Sequence, residues 1–243
     1  MPRTEHPDLP PLLIRVSPRA RRLSIRVSAS EGVVVVVPRG TPRSAALRFV
    51  RDKRDWLARA VGRLEARHGP LAELVDPALP EAVRLPAVDR SIPVSYASGT
   101  GRARCLRRGD AWHLVGPPGD RAALRRALQR RLAGEARVQL EPWLLRLSDR
   151  TGLRYGRLSI RGQRTLWGSC SRAHNISLNW KLLFLPAELV EYVLLHELVH
   201  TVHRDHSPRF WDALGRLCPE AGARHRELRR APGLVPAWAE RRA

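Results

Sequence analysis

The chain has 243 residues, 43% of them hydrophobic and 28% charged, a balance that supports a buried core and argues against wholesale disorder. Its 44 basic and 23 acidic residues leave a net charge of +21, which excludes an acidic, solvating chain and points to polyanions as partners. Only Lys53 and Lys181 are lysines, so the arginine excess reads equally as a coding bias. Cys105, Cys170 and Cys218 are widely spaced and odd in number, which argues against a disulfide framework and fits a reducing compartment. The N-terminal segment has no apolar signal core, and no stretch approaches the roughly 18 uninterrupted apolar residues of a membrane span. A cytoplasmic protein with no membrane association is expected.

Residues 1–11 are polar and proline-rich and read as a flexible tail. Leu12 to Val37 reads as strands: Leu23-Ser-Ile-Arg-Val alternates with the period of a half-buried strand, Ser28 to Gly32 supplies turn residues, and Val33 to Val37 is β-branched. Thr41-Pro42 predicts a helix start, and Leu47, Val50, Leu57, Val61 and Leu64 put an apolar face on one helix running to about His68. Residues 69–90 read as a linker and Ile92 to Val115 as short strands. This assigns 12–118 to an N-terminal β-rich region with one helix.

Asp120 predicts the cap of a long helix with Leu124, Leu128 and Leu132 as its buried stripe. Arg121, Arg125, Arg126, Arg130 and Arg131 form a basic face, readable as phosphate contacts or as a solvated surface. Pro142 predicts a kink or restart, and Gly152 the end. Arg157–Gly162 and Asn175–Trp180 read as two strands of a hairpin turning near Ser171–His174. Pro186 opens a helix to about His203, Ser207-Pro208 starts another that Cys218-Pro219 stops, and a basic helix ends near Ala231. Residues 232–243 read as a peripheral tail. The expected architecture is α+β: an N-terminal β-rich segment with a helix, and a C-terminal helical metal domain, 119–231, with a β-hairpin.

One segment carries the chemistry: His196-Glu-Leu-Val-His200-Thr-Val-His203-Arg-Asp-His206. His196 and His200 are four apart, so a helix projects both from one face. That spacing lets two imidazoles reach one Zn2+ at about 2.0–2.1 Å. Glu197 stands beside a ligand without being one, placed to take a proton from activated water. Because the surrounding helix is strongly apolar, burying these groups unpaired would cost several kcal/mol; the alternative is a pair of hydrogen-bonded core histidines. His206, six residues past His200, is the third-ligand choice, and Glu220, 20 residues past His200, the alternative. His203 reads either as a group lining the site or as a surface helix end.

The sequence resembles the YgjP-like metallopeptidase family of bacterial zincin-type proteins and, more distantly, SprT-like proteases. The matching blocks are Arg22-Leu-Ser-Ile-Arg26, Val37-Pro-Arg-Gly40, Lys53-Arg-Asp-Trp56, Gln163 to Ser171, Ile176-Ser-Leu-Asn-Trp180, and His196 through Trp211. They cover about 12–230. The resemblance implies a zincin-like C-terminal domain with His196, His200 and His206 as metal ligands and Glu197 as catalytic acid/base. At Leu166 the chain departs from the family pattern, which has a basic residue there.

Gly168 in Trp167-Gly-Ser-Cys-Ser171 predicts a close backbone approach. Cys170 reads as a small buried hydrophobe rather than a fourth ligand, and Trp167, Trp180 and Trp211 as core, with a substrate platform open for one of them. The leading expectation is a zinc-dependent metallopeptidase. The nearest rival is a metal-dependent nucleoside triphosphate pyrophosphatase, an activity associated with YgjP-like proteins, in which Arg161, Arg164 and Arg172 would clamp phosphates. The third is a nucleic-acid-binding protein without catalysis, using the basic surface. The substrate is thus expected to be a peptide or a nucleotide.

Overall fold

The computed structural model describes residues 4–6, 9–28, 31–71, 78–163 and 165–240. The chain is α+β, with seven helices and three small sheets among the described residues. It divides between Ala78 and Leu79 into two compact units.

The first unit is a four-stranded sheet with two helices. Strands β1 (Thr4–His6), β2 (Leu9–Val16), β3 (Ser24–Ser28) and β4 (Gly32–Val37) run in the order β1-β2-β4-β3. The predicted hairpin is β3–β4, antiparallel with Ile25 opposite Val35, while β2 pairs parallel to β4. β4 is buried along its whole length, as expected of a β-branched central strand. The single predicted helix is two, α1 (Arg43–Asp52) and α2 (Arg54–His68), because Lys53 leaves the helical region at φ −106°, ψ 15°. Pro42, not Thr41, stands at the start of α1, and no side chain caps it. Ala46, Val50 and Leu57 seal against Leu12, Val33, Val35 and Val37.

In the second unit, β5 (Ala82–Leu85), β6 (Arg90–Ser98), β7 (Arg104–Arg108) and β8 (Ala111–Gly116) form a sheet in the order β5-β6-β8-β7. Val83, Leu85, Ile92, Trp112 and Leu114 bury one face of it in a core shared with the long helix α3 (Arg121–Thr151). That shared core draws the boundary at 78/79, so these strands fold with the C-terminal half and not with the N-terminal sheet. Asp120 caps α3 by accepting from the Ala123 amide at 2.8 Å, and Gly152 ends it at φ 73°. Pro142 does not divide the helix: Leu140, Leu144 and Leu147 continue the buried stripe past it, and this burial offsets the roughly 3 kcal/mol that an interior proline costs.

The basic face of α3 is not one solvated surface. Arg125 is buried, Arg130 Nη2 donates to the Ala103 carbonyl at 2.9 Å, and the Arg131 guanidinium lies 5.5 Å from the Trp112 ring centre.

After α3 comes a three-stranded sheet, β9 (Leu158–Arg161), β10 (Gly168–Cys170) and β11 (Ile176–Asn179), in the order β10-β11-β9. The hairpin is therefore β10–β11, turning through Ser171–His174, and β9 pairs parallel to β11 from its other side. Helix α4 (Ala187–Val199) follows, shorter than predicted, then α5 (Pro208–Leu217), α6 (Ala221–Leu228) and α7 (Ala237–Glu240). The segment after Pro232 is not peripheral. Val235, Trp238 and Ala239 are buried, and Trp238 meets Phe184 edge-to-face at 5.8 Å. No described helix is long and apolar enough to cross a membrane.

Candidate metal centre

Helix α4 is apolar nearly all round, with Leu189, Val190, Val193, Leu194, Leu195 and Leu198 buried, which is why it runs through the core rather than across the surface. His196 and Glu197 are carried into that interior. The helix ends at Val199, and the His200 Nδ1–His203 carbonyl contact of 2.9 Å closes the turn that follows. This turn sends the chain back so that His206 approaches the pair. Nε2 of His196 lies 3.1 Å from Nε2 of His200 and 3.2 Å from Nε2 of His206.

His196, His200 and His206 are the only group of three or more His, Cys, Asp or Glu among the described residues whose ligand atoms converge, all within 4.8 Å. Tetrahedral bonds of about 2.0–2.1 Å put ligand nitrogens roughly 3.3 Å apart, close to both of these separations. The His200 Nδ1 proton is directed to a carbonyl, which leaves Nε2 with its lone pair free, as a metal ligand needs. Burial, followed by the neighbouring histidines, pushes His196 down to about 3, and burial lowers His200, so both rings are neutral. Nδ1 of His196 is buried without a hydrogen-bond partner. The donor set fits a zinc-type cation.

Phe210 organises the triad from below. It is fully buried, stacks on His200 at 4.5 Å and meets His196 and His206 edge-on, both at 4.9 Å. Trp211 lies 5.9 Å from His206 and 5.4 Å from His225. Both aromatics come from α5, whose position is set by the Ser207-Pro208 start.

Glu197 is 5% exposed, and its Oε2 has no hydrogen-bond partner. Burial raises its carboxyl to about 8. Its contact is Gly168 of β10: a Cβ there would stand 2.6 Å from Glu197 Oε1. The close approach expected of Gly168 is thus to the motif glutamate itself. Asn179 fixes the segment leading into β10, donating from Nδ2 to the Gln163 and Leu166 carbonyls at 2.9 Å and from its amide to the Trp167 carbonyl at 2.8 Å.

A cavity of about 210 Å³ opens here, lined in part by Trp167, Gly168, Tyr192, His196, Glu197 and His206. His225 lines it too, with its Nδ1 3.2 Å from the Tyr192 hydroxyl. Burial raises the Tyr192 phenol to about 12, so it keeps its proton. Tyr192 and His225 were not singled out in the sequence. Tyr192 had a signal, standing four residues before His196 on the same helix face; His225, alone in a basic helix, had none.

The chain belongs to the YgjP-like family. The YgjP-like metallopeptidase domain matches residues 21–231; no curated protein matches the chain.

The other predicted residues of this YgjP-like chain fall in several places. Trp167 lines the cavity. Arg172 lies in the β10–β11 turn and lines a second cavity of about 410 Å³ with Cys170, Ser171, His200 and Arg204. Arg161 ends β9, exposed, with its Nε 3.4 Å from Ser159 Oγ, and lines neither cavity. Arg164 lies outside the described residues. His203 gives its carbonyl to His200 and lines a separate cavity with Thr151 and Arg216. Glu220 is paired with Arg224 at 2.8 Å and does not join the triad. Cys170 is also outside that group.

Proposed function

We propose that this protein is a zinc-dependent metallopeptidase with His196, His200 and His206 as metal ligands and Glu197 as general base. The observation that carries the reading is the convergence of three imidazole nitrogens beside a buried, unpartnered carboxyl, with His196, His206 and Glu197 lining one cavity. When bound, the cation supplies Lewis acidity, lowering the pKa of water and polarising a carbonyl. It also favours the ionised form of Glu197, since an opposite charge lowers a carboxyl pKa.

Glu197 then takes the proton of the attacking water at the free carboxylate oxygen and returns it to the leaving amine. Tyr192, held as a phenol and oriented by His225, donates to the oxygen that gains charge as the carbonyl is attacked. β10 is an edge strand beside α4, which supports binding of an extended peptide by main-chain pairing. The free cysteines are in keeping with a reducing cytoplasm.

A second reading, hydrolysis of a nucleoside triphosphate phosphoanhydride, is favoured by one observation. Arg172 and Arg204 stand on the His200 side of the triad, tied together by an Arg204 Nη2 donation to the Arg172 carbonyl at 3.0 Å, and neither has an acidic partner among the described ion pairs. Metal analysis of the purified protein followed by peptide and nucleotide panels separates the two. Glu197→Gln is expected to keep its metal and lose turnover; an active Glu197→Gln enzyme overturns the assignment.

A further inference from the structure

An open cavity of about 520 Å³ shares no residue with the metal centre. It lies between β7, an edge strand of the 82–116 sheet, and helix α3. Arg102, Arg104, Arg130 and Arg131 line it with Cys105 and Gly134, and no carboxylate is among its lining residues.

Two of the four guanidiniums are fixed in place. Arg130 Nη2 donates to the Ala103 carbonyl at 2.9 Å, which also anchors the segment carrying Arg102 and Arg104. Arg131 lies over the Trp112 ring at 5.5 Å, with Glu135 behind it at 3.7 Å. Glu135 is a single carboxylate shared by two guanidiniums: its Oε1 accepts from Arg90 at 2.7 Å and Gln139 at 3.0 Å, its Oε2 lies 3.7 Å from Arg131, and it is 5% exposed. Arg102 and Arg104 are exposed and have no acidic partner among the described ion pairs.

We propose that this cavity is a second ligand site, taking the linked phosphoryl groups of a small oligophosphate-bearing ligand. Four guanidiniums on one concavity, with only the shared Glu135 carboxylate behind Arg131 to offset them among the described ion pairs, leave a positive potential there. Arginine forks satisfy phosphate oxygens in pairs. Holding two of them by Trp112 and Ala103 lowers the ordering cost of binding. Because the guanidiniums converge on one pocket rather than follow a track, a compact polyanion fits better than a nucleic-acid strand.

The glycine at 134 gives a test that removes no arginine. A Cβ on Gly134 would meet nothing within 4 Å, so Gly134→Glu sets a carboxylate in the cavity and improves helix propensity. Sodium tripolyphosphate is titrated calorimetrically into the full chain at physiological salt. Binding is expected to weaken at least tenfold in Gly134→Glu and in Arg102→Glu/Arg104→Glu. It is expected to change less than twofold in Arg59→Glu/Arg63→Glu, whose residues are exposed on α2. Equal affinities in all variants, or no saturable binding by the unaltered chain, overturn the site. An oligothymidylate that binds in a Gly134→Glu-sensitive way yet is not displaced by tripolyphosphate overturns the compact-ligand assignment.

Discussion

Gly168 leaves the space that Glu197 occupies: a β-carbon at 168 would stand 2.6 Å from Oε1, 2.7 Å from Cγ and 2.8 Å from Cδ of the glutamate. All three contacts are shorter than non-bonded carbon packing of about 3.5 Å allows. Gly168→Ala must therefore push Glu197 out of position or move β10. The expected result is a loss of hydrolytic activity of at least tenfold, about 1.4 kcal/mol of transition-state stabilisation, with metal content unchanged. Full activity in Gly168→Ala would mean that Glu197 is not confined as described.

The third ligand is decided by metal stoichiometry. His206 Nε2 is 3.2 Å from His196 Nε2, while Glu220 is held by Arg224. His206→Ala is expected to bind metal about 100-fold more weakly, and Glu220→Ala to bind it as the unaltered chain does. Metal retained by His206→Ala would reject this assignment.

The legible parts of this chain were those written in local pattern. The i, i+4 histidines, the Asp120 cap, the Gly152 stop and the β-branched run at 33–37 each declare an element from a few neighbouring residues. The parts that were not legible depend on partners far away in sequence. Lys53 breaks a helix whose apolar spacing continues across it. The boundary at 78/79 falls inside the stretch 69–90 that reads as a linker, but that the strands after it belong with the C-terminal half follows only from Trp112 and Leu114 packing with α3. Trp238 in the last segment belongs to the core because Phe184 meets it there. In the site, the three converging histidines were evident, whereas His225 becomes visible only once α6 brings it to Tyr192.

Phe210 touches the rings of His196, His200 and His206 at once, so its size is expected to matter to metal binding as well as to the fold. Phe210→Ala is expected to destabilise the protein by about 3–5 kcal/mol. Phe210→Leu keeps most of the apolar volume but loses the stack on His200. It is expected to fold, with metal affinity lowered about tenfold, as for other groups that orient ligands. Competition against a chromophoric chelator measures this; unchanged affinity in Phe210→Leu would make Phe210 a packing residue only.

The stability of the metal-free protein should depend on pH in opposite senses below about 4.5 and above about 6.5. His196 is held down to about 3, from an ordinary value of 6.5. Between these values the unfolded chain binds the extra proton, so stability falls as pH falls below 6.5. Glu197 is raised to about 8 from 4.5. In that window the folded chain holds the proton, so stability falls as pH rises, at up to about 1.4 kcal/mol per pH unit. The two slopes oppose each other from 4.5 to 6.5, leaving the Glu197 slope exposed between 6.5 and 8. Urea midpoints of the metal-free protein should therefore decline over that upper window, and Glu197→Gln should remove the decline. Saturating zinc should remove it as well, because a bound cation favours the carboxylate. A decline of the same size in Glu197→Gln would assign the effect to another group.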